Sequence, residues 1–326
     1  MKIAYLILAH SNPRHFGRLI SALSSGSCAF FVHIDSKSNI EDFLRAEGTD
    51  VHFVERRIPV YWGDFSQVEA LLILLRAALA DSRHFDRFVL LSGTDYALQP
   101  TSRIEYFFAR NRSAEFINLV QMPSSAAGKP MSRLTTYKER PGDMRPIKAI
   151  RSVLSSLGIV SRTRDYKAYL GALVPYAGST WWALSREACE HINAFATNEL
   201  RIVEFFKHTH CPDESFFQTI LGNSRFKPRI RRNLTYADWT AGGPSPAYIG
   251  SRHLPFFRCT SSFPPSDIFG AGDILFARKF SDDADSVVSQ IDQLLEIRAC
   301  EPNNDLLMGL DDDTAEPRVP SGGRIR

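Results

Sequence analysis

Along the first hundred positions, apolar residues fall into short runs separated by stretches with helical spacing. Ile3–Ala9 is apolar throughout, and Ala29–Ile34, Val51–Val54 and Arg87–Leu91 are nearly so. Runs of this length without polar alternation predict strands buried on both faces of a parallel sheet. Between them, Arg14–Leu23 and Ser66–Ala80 predict helices; in the second, Val68, Leu71, Leu72, Leu75 and Leu79 share a face. The stretch Ser66-Gln67-Val68-Glu69 predicts a capping box at that helix start. Strands alternating with helices predict an α/β fold, a parallel sheet with helices on its faces. Ligands of such sheets bind beyond the carboxyl ends of the strands. By that rule His10, Asp35 and Asp95 fall on the binding side.

After about residue 120 the pattern changes. Residues 121–170 hold ten Lys and Arg against three acidic residues. This stretch reads either as a solvated, loop-rich insertion or as a surface for an acidic acceptor or anionic lipid headgroups. The expected organisation is one catalytic unit over 1–300, with 1–120 its nucleotide-binding half and 171–300 its acceptor and catalytic half. Residues 301–326, rich in Pro, Gly, Asp and Arg, read as a disordered tail.

Composition narrows the partners. Across 326 residues, 39 Lys and Arg face 36 Asp and Glu, a formal charge of +3 that does not favour nucleic acid. Five cysteines, at 28, 189, 211, 259 and 300, are odd in number and lack a Cys-x-x-Cys pair, which predicts a reducing, cytoplasmic setting without a disulfide framework. No run approaches the roughly 18–20 apolar residues of a membrane span. Polar His10, Ser11 and Asn12 follow the first run at once, so it reads as a strand rather than a leader. Peripheral contact with an anionic membrane surface stays open.

Generic fingerprints are absent or incomplete. There is no Gly-Lys-Ser/Thr, and Gly270-Ala271-Gly272 lacks the third glycine of a dinucleotide turn. Asp311-Asp312-Asp313 sits in the expected tail and reads as solvated charge, while His208-Thr209-His210-Cys211 has no matching second cluster. No metal is expected. Pro212-Asp213-Glu214 fits the first turn of a helix, where the backbone dipole favours carboxylates whether or not they are catalytic. Arg278-Lys279, between Phe276-Ala277 and Phe280, suits a diphosphate or an exposed basic pair at a strand end.

Eight ordered blocks add a resemblance. They are Ala4–His10, Val32–Lys37, Val60–Ser66 (Val-Tyr-Trp-Gly-Asp-Phe-Ser) and Leu91–Tyr96 (Leu-Ser-Gly-Thr-Asp-Tyr) in the first half. Gly178–Leu184 (Gly-Ser-Thr-Trp-Trp-Ala-Leu), Pro212–Thr219, Tyr236–Trp239 and Phe276–Phe280 follow. In this order they resemble the core-2/I-branching β-1,6-N-acetylglucosaminyltransferases of glycosyltransferase family 14, which group with peptide O-xylosyltransferases. The resemblance implies a GT-A fold, Rossmann-like with a mostly parallel sheet flanked by helices. It also implies an inverting, metal-independent transfer from a UDP-sugar, GlcNAc or xylose, to a glycan, lipid-linked or other hydroxyl acceptor.

The roles it carries over are specific. Glu214 is the general base, Arg278 and Lys279 neutralise the diphosphate, and Asp35 contacts the uracil. By their place after strands, His10 and Asp95 are candidates for the nucleotide site, Asp95 binding ribose or the donor sugar or else holding a turn through its side chain. Trp181, Trp182 and Asp213 are candidates at the sugar and acceptor. Arg258 is a third candidate for the diphosphate. Chemistry agrees: a single displacement needs one base opposite the leaving group, and the departing UDP needs fixed cations where no metal serves. His33 reads as structural, and Trp62 and Trp239 as core or as sugar-stacking surfaces. The third block reads Trp-Gly-Asp where the family pattern has Trp-Gly-Gly, so that loop is expected to differ. The alternative reading is a non-catalytic nucleotide-sugar or glycan-binding protein on the same fold.

Overall fold

The computed structural model describes residues 1–45, 50–141 and 163–301. The expected tail beyond 301, with Asp311–Asp313, lies outside these residues, as do Arg145, Lys148, Arg151 and Arg162 of the basic stretch.

Strands β1 (Ile3–Ala9), β2 (Cys28–Ile34), β3 (Val51–Phe53) and β4 (Arg87–Ser92) form where the apolar runs predict them and pair in parallel. Along β1, Ile3, Tyr5 and Ile7 enter one core while Ala4 and Leu6 enter the other. Both faces are covered, which is why the run carries no polar alternation. Helix α1 (Pro13–Leu23) joins β1 to β2 and buries Phe16, Leu19, Ile20 and Leu23 against the first core. Helix α2 (Phe65–Ala80) covers the other face and is buried on most sides.

The predicted capping box does not form. The helix starts one residue earlier, where the Asp64 carboxylate accepts from the Ser66 N–H at 2.8 Å. Ser66 Oγ instead accepts from the Tyr61 N–H, and Glu69 pairs with Arg56 at 2.7 Å on the surface.

Further elements are β5 (Asp95–Ala97), α3 (Thr101–Arg110), β6 (Glu115–Ile117), β7 (Val120–Gln121), α4 (Ser132–Thr135), α5 (Tyr166–Leu170) and β8 (Tyr176–Ala177). After them come β9 (Trp182–Ser185), α6 (Arg186–Asn198), α7 (Leu200–Lys207), α8 (Phe216–Gly222), β10 (Ile230–Arg231) and β11 (Thr235–Ala237). The chain continues through α9 (Leu254–Cys259), the antiparallel pair β12 (Ser262–Phe263) and β13 (Gly272–Asp273), β14 (Phe276–Arg278) and α10 (Asp285–Cys300).

The main sheet has seven strands in the order β10-β6-β9-β4-β1-β2-β3, and only β9 runs against its neighbours. A mostly parallel α/β sheet flanked by helices is therefore what the chain builds. A smaller sheet, β11-β14-β5, packs beside it. Helix α10 is laced back to the first half: Arg14 and Arg18 pair with Asp285, and Tyr96 Oη donates to Asp292 at 2.6 Å. All five cysteines are free thiols, and no helix of the described residues is long and apolar enough to cross a membrane.

Candidate active site

The strand order reverses between β1 and β4, and at such a switch point a crevice opens beyond the carboxyl ends. The two strand ends meet closely there. A Cβ on Gly93 would lie 2.7 Å from the Cβ of Ala9, a separation no side chain tolerates, so the turn after β4 needs glycine. Asp35 follows β2; its carboxylate accepts from the Lys37 N–H at 2.9 Å and lies 3.3 Å from Lys37 Nζ. His10, after β1, is within electrostatic reach of Asp35, Lys37, Arg278 and Lys279, and partial burial lowers its pKa.

Asp95 does not face the crevice as a nucleotide ligand would. It is fully buried in β5, opposite Arg278 in the antiparallel β5–β14 register. Its Oδ2 accepts from the Ser92 N–H at 3.0 Å, and Oδ1 stands 3.2 Å from Arg278 Nε. Burial pushes this carboxyl up to about 6, against the opposing pull of Arg278. The Arg278 guanidinium lies over the Trp181 ring, 4.0 Å from its centroid. Lys279 donates to Ser245 Oγ at 2.7 Å and sits over Tyr248 at 4.5 Å.

Two candidates fall elsewhere. Arg258, on α9, donates to Gln290 of α10 at 3.2 Å, and neither Arg278 nor Lys279 is among its partners. Trp182 points into the core from β9, its ring 5.9 Å from that of Phe217, so it borders no open site. Trp181, in the segment just before β9, is the one that meets a cation, Arg278.

The segment before β9 joins the cations to the carboxylates. Gly178 donates its N–H to the Glu214 carbonyl at 2.9 Å, and Thr180 Oγ1 donates to Asp213 Oδ2 at 2.6 Å. A Cβ on Gly178 would fall 1.8 Å from the Asn118 carbonyl oxygen, so only glycine lets the chain pass. Asp213 and Glu214 occupy a single 3-10 turn, Pro212–Glu214, ahead of α8. Asp213 is buried, and its pKa is raised by that burial and by the neighbouring Glu214 charge. Glu214 is partly open. Its Oε2 accepts from Lys129 Nζ at 2.6 Å and Arg133 Nη1 at 2.5 Å, while no described residue bonds Oε1.

Lys129 and Arg133 are neighbours of Glu214 that sequence reasoning missed. They are 85 and 81 residues from Glu214 in the chain, and their only local signal was a pair of cations four apart in the basic stretch. Other basic residues of that stretch also turn inward: Lys138 donates to the Gly63 carbonyl, and Arg164 to the Phe205 carbonyl at 2.6 Å. Four cations of the described part thus bond protein groups, two of them the Glu214 carboxylate.

The Trp62-Gly63-Asp64 block lies against the same turn, with Gly63 at φ +63° accepting the Cys211 N–H at 3.0 Å. Trp62 is 65% exposed and meets His210 edge to face, and Trp239 is 54% exposed. Neither is core. His33 is structural, its Nε2 accepting the Ile58 N–H.

The arrangement places a carboxylate, one of whose oxygens no described residue bonds, at one end and fixed cations at the other. Comparison with known proteins gives this geometry a family. Xylosyltransferase 2 of Homo sapiens is 27% identical over 316 residues, covering 91% of this chain and 33% of its own. The Pan troglodytes protein of the same name is 28% identical over 313 residues, with the same coverage of 91% and 33%. Xylosyltransferase 1 of Mus musculus is 25% identical over 315 residues, 90% of this chain and 30% of its own. The chain spans about a third of the length of these curated relatives. A solved 4-diphosphocytidyl-2C-methyl-D-erythritol synthase from Anaerococcus prevotii overlays distantly, with a TM-score of 0.30, 13% identity, and coverage of 64% of this chain and 83% of its own. The profile of the Core-2/I-Branching enzyme family matches residues 3–255, the greater part of the sequence, and the chain belongs to that family.

Proposed function

We propose that the chain transfers a sugar from a UDP-sugar to a hydroxyl acceptor with inversion, forming a β-linkage without a divalent metal. Xylose is the first donor sugar to test, from the names of the relatives, and GlcNAc the second. The acceptor class is a glycan, a lipid-linked intermediate or another hydroxyl compound. The observation that carries this reading is the Gly178–Trp181 segment, which bonds to the Glu214 turn at one end and supports Arg278 at the other.

The chemistry follows from those positions. Glu214 Oε1 takes the acceptor proton as the acceptor oxygen attacks the anomeric carbon from the face opposite UDP. Lys129 and Arg133 hold Oε2, so the oxygen that no described residue bonds is the one presented. The bond from the anomeric carbon to the β-phosphate oxygen breaks, and the charge released on the diphosphate is met by Arg278 and Lys279. One carboxylate suffices because no covalent glycosyl intermediate forms.

A thermal-shift titration with UDP, followed by product analysis with UDP-xylose and UDP-GlcNAc, tests the reading. Glu214→Gln is expected to keep the UDP shift and lose transfer by about a hundredfold or more. Turnover by that variant near the wild-type rate would remove Glu214 as base. Transfer is also expected to persist in EDTA; loss on chelation with recovery in manganese would overturn the metal-free mechanism.

A further inference from the structure

Within the site, one carboxylate lies where no ligand reaches it. Asp95 has no exposed surface, yet it stands in cross-strand register with Arg278. A guanidinium carries five N–H donors in a planar fork. At Arg278 the Nε edge faces the Asp95 carboxylate at 3.2 Å, and one ring face is covered by Trp181 at 4.0 Å. Among the described residues no acceptor bonds either Nη group. The inner edge makes an ion-pair contact with a carboxylate, short of hydrogen-bond geometry, and the outer pair of donors is left for something else.

We infer that Asp95 is a positioning residue that acts through Arg278, fixing the guanidinium on Trp181 with both Nη groups toward the leaving diphosphate. The inference rests on the proposed reading of Arg278 as a diphosphate ligand. The Asp95 side chain is anchored independently, because Oδ2 also accepts the Ser92 N–H from the end of β4. The carboxylate is therefore fixed by the main sheet and faces a cation on the small one.

A counter-charge without a positioning role makes the opposite prediction. A carboxylate behind an anion-binding cation weakens the local positive potential, so by charge alone its removal tightens UDP binding. If Asp95 instead orients the guanidinium, its removal leaves the ligand to order that side chain, and binding weakens.

The test uses the full chain, with UDP and uridine as calorimetric probes. Asp95→Asn keeps the shape and an acceptor for the Ser92 N–H but loses the charge. It is expected to weaken UDP by roughly tenfold and leave uridine within about twofold of wild type. Arg278→Ala also weakens UDP, and the double variant is no weaker than Arg278→Ala alone. UDP affinity in Asp95→Asn equal to or above wild type overturns the inference. So does an equal loss for uridine, which marks a merely structural role, or additive losses in the double variant. If Asp95→Asn does not fold by circular dichroism, Asp95→Ser enters the same cycle with the same outcomes. A wild-type chain that binds no UDP overturns the proposed function and this inference with it; wild-type binding with an unaffected Asp95→Asn overturns the inference alone.

Discussion

At Gly178 a single absent carbon lets two halves of the site meet. A side chain there would overlap the Asn118 carbonyl and push the segment off the Glu214 turn. Gly178→Ala is expected to destabilise by about 1–3 kcal/mol or more, read from the denaturant midpoint. An unchanged midpoint would mean that the backbone yields at no cost. Asp95 raises a different issue, because its charge is costly where it stands. Its folded pKa of about 6 lies above the ordinary Asp value of about 3.9. The folded state therefore binds its proton first between those values, and this residue's contribution to stability falls as pH rises from about 4 to 6. Asp95→Asn does not titrate, so its stability relative to wild type should climb over that window by on the order of 2–3 kcal/mol and then level off. Matched urea melts at pH 4 and pH 7 check this; a difference independent of pH would show that Asp95 titrates normally. Sequence reading singles out Asp95, Glu214, Arg278 and Lys279 because each sits in a short ordered block. It missed what Asp95 faces, since burial and cross-strand register are not written in any one block.

Whole elements were legible in proportion to their length. The first four long apolar or periodic segments emerge as β1, α1, β2 and α2 within a residue of their predicted starts, because burial on two faces or one leaves a pattern that several residues share. Strands β5 and β14 have three residues each, too few for any period, and their pairing is what brings Asp95 to Arg278. The start of α2 shows the limit at an element's end. Ser66 and Glu69 have the spacing of a box, yet Asp64 precedes them and takes the capping position. Asp64→Ala should therefore cost about 1 kcal/mol. Glu69→Ala removes only an exposed pair with Arg56 and should cost about half a kcal/mol or less. Equal costs in the two denaturation curves would restore Glu69 as a cap.

Over the whole molecule, the near-neutral total of +3 conceals how the charges are spent. Lys129, Arg133, Lys138 and Arg164 turn inward toward a carboxylate and backbone carbonyls, so the described part of the basic stretch presents less charge to solvent than its composition suggests. The two ends of the described chain are also interdependent. Helix α10 buries Val288 and Ile291 in the core that holds α1, and the Phe280 N–H reaches back to the Thr94 carbonyl at 2.8 Å. Removing the chain from Asp285 onward should lower the melting temperature sharply and abolish the UDP shift, because the core loses Val288 and Ile291 and Tyr96, next to Asp95, loses its Asp292 partner. A truncated chain that melts like the full one would show that α10 is dispensable.

The uneven burial of the indoles has an optical consequence. The chain has four tryptophans; Trp62 and Trp239 stand largely in water, while Trp181 and Trp182 are enclosed. Water-exposed indoles emit further to the red, so replacing Trp62 and Trp239 with Phe leaves a blue emission from the inner pair. Trp181 carries the Arg278 charge 4.0 Å from its ring, and its excited state responds to any movement of that charge. In such a variant a diphosphate arriving at Arg278 would change the protein's own colour, and donor loading would be visible without a label.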